Sequence, residues 1–186
     1  MRKKINSEAG FSLVEMLAAV AVLILLGLML NTGLQMALNS YRTVIAQSEA
    51  ELLLSTAVDA LADELRYAWD VKDSDTPTNW GSDFNNIAGF TYSSDSYGKE
   101  TQLCVKGGQI IARTPKNDGT FQDWQVLSTG AYGAKGADGK RAYKVMKLEI
   151  TLNDNNTFTI KLKVATADEK IIAHTSVTVR CLNPMK

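Results

Sequence analysis

One histidine, His174, and two cysteines, Cys104 and Cys181, are the only imidazole and thiols among the chain's 186 residues. His174 falls on the polar side of the last alternating segment. No second histidine or carboxylate stands at ligand spacing from it. Without one, no set of nucleophile, base and orienting group can be assembled. The chain also lacks a G-x-G-x-x-G run, a P-loop, low-complexity tracts and internal repeats. Charge of one sign is missing as well: 20 Lys and Arg balance 20 Asp and Glu. A nucleic-acid-binding face is denser in cations than this. These absences exclude the common enzyme classes and direct nucleic-acid binding, and point to no cofactor and no metal.

Two further absences are local. No proline interrupts residues 11–69, and no charged side chain lies between Glu15 and Arg42. What fills that gap organises the chain. Residues 16–30 are all apolar or Gly, enough with their flanks to cover the roughly 20 residues of a bilayer span. Arg2, Lys3 and Lys4 form a basic head in front, which keeps that end cytoplasmic and faces the remainder outward. Glu15 breaks the apolar run near its start. A carboxylate at the bilayer centre costs about 2.5–3.5 kcal/mol, so such residues have a partner and a role.

A secretory signal peptide has a shorter apolar core, followed by a small-x-small cleavage site. Here the run is longer, and Ala37-Leu38-Asn39 is a poor cleavage site. A plain signal anchor fits the length but leaves Glu15 and the Gly10-Phe11 junction without a reason. The combination of basic leader, Gly10, Phe11 and Glu15 resembles the type IV prepilin signal, in which a leader ends in Gly, Phe follows and a Glu lies four residues on. The resemblance implies cleavage by prepilin peptidase between Gly10 and Phe11 and N-methylation of Phe11. It also implies an assembly salt bridge from Glu15 to the terminal amine of a neighbouring subunit. Such a pairing makes physical sense of Glu15, because a carboxylate and an ammonium in hydrocarbon are tolerable only together. Other pilin or pseudopilin subunits, an inner-membrane assembly platform and membrane lipid are the further partners implied.

In chain order, residues 1–10 read as the leader and residues 11–38 as the transmembrane or filament-core helix. Residues 39–70 read as its amphipathic continuation, since Leu54, Val58, Leu61, Leu65 and Ala68 recur at spacings of four and three. One helix over residues 11–69 has about 59 residues and a length of roughly 88 Å. Residues 71–186 read as an extracytoplasmic, β-rich head. The segment 70–101 reads as a polar connector with one short strand at most, its aromatics Trp80, Phe84, Phe90 and Tyr92 forming a satellite core. Leu103 to Lys106 and Gln109 to Arg113 flank Gly107-Gly108, which predicts a tight hairpin. Residues 115–140 are expected to be loop. Three alternating segments follow, around Leu148, Ile160 and Val177, and predict an antiparallel meander with one buried face. The expected fold is α+β, a long helix packed on an antiparallel sheet. In an exported head, Cys104 and Cys181 are expected to pair as a disulfide, closing a loop of about 78 residues and worth roughly 4–5 kcal/mol in the chain-entropy picture; two buried free thiols are the alternative.

The charge is unevenly placed. Residues 42–70 carry two Arg against six acids, a net of −4, and residues 71–186 fifteen Lys or Arg against twelve acids, a net of +3. Within the family, Asp63-Glu64-Leu65-Arg66-Tyr67-Ala68 is similar to the helix end of J-type minor pseudopilins and W-type minor pilins. Gly136-Ala137-Asp138-Gly139-Lys140 superficially resembles the calcium loop of major pseudopilins. Only Asp138 offers a carboxylate between Asp123 and Glu149, whereas calcium takes six to eight oxygens, so a turn is expected there. Pilins often carry a Pro about twenty residues into the mature helix, where this chain has Asn31-Thr32-Gly33. The resemblance therefore implies a structural minor pilin or pseudopilin, in a family whose filaments pull, secrete, adhere or take up DNA. A non-polymerising, membrane-anchored extracellular binding module is the alternative.

Overall fold

The computed structural model describes residues 12–74, 82–134, 141–153 and 155–183. Gly10, Phe11, Trp80 and Asp138 lie outside them. One α-helix, α1, runs over Leu13–Arg66, 54 residues long. It is followed by β1 (Trp69–Asp73), β2 (Phe84–Asn85), β3 (Phe90–Ser94), β4 (Gly98–Lys106), β5 (Gln109–Pro115) and β6 (Phe121–Gln125). A 3₁₀ turn at Thr129–Tyr132 leads to β7 (Tyr143–Asn153), β8 (Thr157–Thr166) and β9 (Ile171–Arg180). This is the α+β class expected from the sequence. The chain divides into two compact units, the first reaching Ile45 and the second starting at Ala46.

In the first unit the helix side chains are exposed on every side. In the second, Ala50, Leu53, Ala57, Val58, Leu61, Ala62 and Leu65 are buried. Their spacing of three and four puts them on one face, as amphipathic packing requires. They share a single apolar cluster with Phe90, Tyr92, Leu103, Val105 and Ile110 of one sheet and Leu148, Ile150, Phe158, Ile160, Leu162 and Val164 of the other.

The first sheet has the strand order β1-β3-β4-β5-β6, with β2 paired to β4, and the second is the meander β7-β8-β9. The β4–β5 hairpin turns on Gly107-Gly108 as expected, with φ of +57° and +79°. Gly108 is also where the sheets meet, since its carbonyl accepts a hydrogen bond from the Val145 amide at 2.8 Å. In β7 a register shift between Val145 and Lys147 moves the buried set from Tyr143 and Val145 to Leu148 and Ile150.

Three expectations need correction. Residues 70–101 hold β1, β2, β3 and the start of β4, where a connector was expected. Their register shifts between Trp69 and Lys72 and between Tyr92 and Ser94 break the period-2 pattern that marks a strand in sequence. Phe90 and Tyr92 belong to the main core, Phe90 packing on Phe158 at 5.2 Å between ring centroids. The stretch 115–140 contains β6 and the 3₁₀ turn, in place of loop throughout its described part.

The helix also ends earlier than the pattern implied, at Arg66. The last described residues of the chain take over its free carbonyls. The Leu182 amide donates to the Arg66 carbonyl at 2.8 Å, and Asn183 Nδ2 to those of Tyr67 and Ala68 at 2.9 and 3.2 Å. Helix termini leave four such carbonyls without a partner, and a distant segment satisfies that of Arg66 and the two carbonyls that follow the helix.

Candidate functional site

The start of α1 is built around Glu15. The Ser12 amide donates to Glu15 Oε2 at 2.9 Å, and the Glu15 amide donates to Ser12 Oγ at 3.2 Å. This reciprocal pair is a capping box, which satisfies two of the amides that a helix start leaves free. The S-x-x-E spacing ahead of an apolar run announces it in the sequence, yet the acid alone drew attention there. Ser12 is thus the partner that positions Glu15 at the helix start. The carboxylate is thereby held at the amide of Ser12, the first described residue.

Beyond Glu15 the helix is long and apolar enough to cross a membrane. Its side chains from Leu13 through Leu30 are exposed, which in water leaves a large apolar surface uncovered. Polar residues begin at Asn31. Thr32 and Thr43 turn their hydroxyls back to the Leu28 and Asn39 carbonyls, each at 2.9 Å, so these side chains meet their own hydrogen-bonding needs within the helix.

In the head, the expected Cys104–Cys181 disulfide is not formed; both are free, buried thiols. Strand alternation is the reason. Leu103 and Val105 point into the main core, so Cys104 between them points to the other face. There it packs with Ile111, Phe84 and Ile87 in a separate small cluster. Cys181 sits in the main core, its thiol donating to the Ala68 carbonyl at 3.2 Å. Burial, reinforced by Asp123, pushes the Cys104 thiol up to about 12. It is therefore protonated and inert at neutral pH.

His174 is exposed on β9, opposite Lys163. Among the described residues no three His, Cys, Asp or Glu side chains are grouped to hold a metal ion. One ionisable contact ties the second half of α1 to the meander: Tyr143 Oη donates to Glu49 Oε2 at 2.8 Å. No protein-family model, curated protein or solved structure matches the chain.

Proposed function

We propose that this chain is a pilin-like structural subunit, most like a minor pilin or a J- or W-type minor pseudopilin. It is inserted with its leader in the cytoplasm and its head outside. Prepilin peptidase cuts it between Gly10 and Phe11, Phe11 is N-methylated, and the subunit joins a type IV pilus or type II secretion-like filament or stands at its tip. The role is structural and needs no cofactor. Its partners are other pilin subunits, the peptidase, the inner-membrane assembly platform and lipid.

One observation carries the reading. A single helix begins with a carboxylate in a capping box, continues with an apolar half exposed on every side, and ends with a half buried under two sheets. Lipid satisfies such an apolar half before assembly, and the same halves of neighbouring subunits satisfy it afterwards. The carboxylate at its head then has a use, as counter-ion to a terminal amine.

The test is the mass of the mature N-terminus after co-expression with prepilin peptidase. The expected protein begins at methylated Phe11, and Gly10→Val keeps the leader. An intact leader on the native chain beside active peptidase refutes the proposal and favours a plain anchored module.

A further inference from the structure

The outward face of β7-β8-β9 exposes Lys147, Lys161, Lys163, His174 and Arg180 around one acid, Glu149. The pairing places Lys147 opposite Lys163, and Lys163 opposite His174. Like charges directly opposite each other, as Lys147 and Lys163 are, destabilise a sheet, so that pair does not serve the fold. Glu149 bridges Lys147 at 3.0 Å and Lys161 at 3.5 Å, and those two lysines hold its carboxyl below the usual range. Lys163, His174 and Arg180 have no acidic partner among the described residues.

The acids that could answer this face are on α1. Glu51, Asp59 and Asp63, with Ser55 between the first two, stand at successive four-residue steps and are all exposed. Residues four apart share a helix face, so they form one stripe about 18 Å long. The basic face, from the Lys163 row of β8 to the row where Arg180 stands opposite Thr157, is about 20 Å long. The contacts that the stripe already makes are exposed ones within the helix, Glu51 with Gln47 and Asp63 with Arg66 at 3.3 Å. Such pairs hold weakly and exchange readily. Because α1 and the meander bury their apolar sides in the same cluster, the stripe and the basic face both turn away from it.

We propose that the basic face of β7-β8-β9 on one copy docks on the Glu51, Asp59 and Asp63 stripe of a second copy. The contact joins two unlike, complementary surfaces, which between neighbours in a filament is a head-to-tail arrangement. An anionic lipid surface would account for the cations but not for an acidic stripe of matching length on the same chain. Charge contacts of this kind fix register and select partners. The inference rests on the filament reading, to which it adds the lateral surface.

Full-length chain in its own membranes provides the test, with two differently tagged copies. One carries Ser55→Cys in the stripe, the other Ser176→Cys, which stands opposite Lys161 on the basic face. Both changes leave every charge in place, and buried Cys104 and Cys181 do not compete for a short bismaleimide. A cross-linked product is expected only when both variants are present. Lys161→Glu with Lys163→Glu should lower it about tenfold, as should high salt, and Asp59→Lys with Asp63→Lys on the stripe copy should restore it. No product, a product indifferent to charge reversal, or a Ser176→Cys product with itself overturns the proposal. So does a loss that the reversed stripe fails to restore, which would point to lipid. Filament membership fails separately: processed protein in sheared filaments without this product removes the interface and leaves the filament role standing.

Discussion

Cys104 is fully buried, between Phe84 and Ile111 on the side of β4 that faces away from the main core. Burial raises its thiol from an ordinary 9.0 to about 12, because a thiolate there would lose its hydration. The folded protein thus holds this proton more tightly than the unfolded chain does. The stabilisation is complete below pH 9 and is lost as pH rises from about 9 to about 12. Cys104→Ala should remove that alkaline loss while costing some packing, which melting curves between pH 7 and pH 11 would register. Native protein at pH 8 should resist maleimide at both cysteines and take up two equivalents once unfolded; a disulfide-linked peptide would contradict this. The pairing of the two cysteines was not legible because it depends on which face each occupies. Ser12 and Glu15, by contrast, were readable from four consecutive residues, since a capping box is a local device.

The β4–β5 turn depends on Gly107 and Gly108 in unequal degree. Both have positive φ, but a Cβ on Gly107 would meet open space, whereas one on Gly108 would lie 2.6 Å from Lys144 Cβ. Gly107→Asn should be tolerated, since Asn enters the left-handed region readily. Gly108→Ala should cost about 1–3 kcal/mol, the sum of backbone strain and a displaced β7, and lower the melting temperature accordingly. Equal tolerance of both changes would show that the sheets do not close on this turn. The hairpin, the first two strands of the meander and the helix stripe were legible because each keeps its period over several residues, and Gly107-Gly108 and Asn155-Asn156 mark the two turns. β1, β2 and β3 were not, being two to five residues long. Nor was the end of α1, which the tail residues Leu182 and Asn183 set from more than a hundred positions away.

At the scale of the whole molecule, the exposed apolar half of α1 and the packed head ask for different surroundings. Among the described residues, apolar side chains are buried within the chain from Ala50 onward and not before it. In the proposed role the apolar half moves from lipid to the interior of a filament, and Glu15 decides whether that transfer succeeds. Glu15→Gln isolates its charge, because Gln closes a capping box as Glu does and the helix start survives. Membrane insertion and cleavage after Gly10 should persist, while assembly loses a counter-ion at a cost of about 3–5 kcal/mol. The deciding measurement is recovery of the chain, and of the subunits it recruits, in sheared filament fractions, native against Glu15→Gln, with cleaved membrane-retained protein as control. The account predicts native protein shortened by its leader in the filaments and the variant left in the membrane, cleaved but unassembled. Native protein confined to the membrane, or a variant that assembles as well as the native chain, would contradict it.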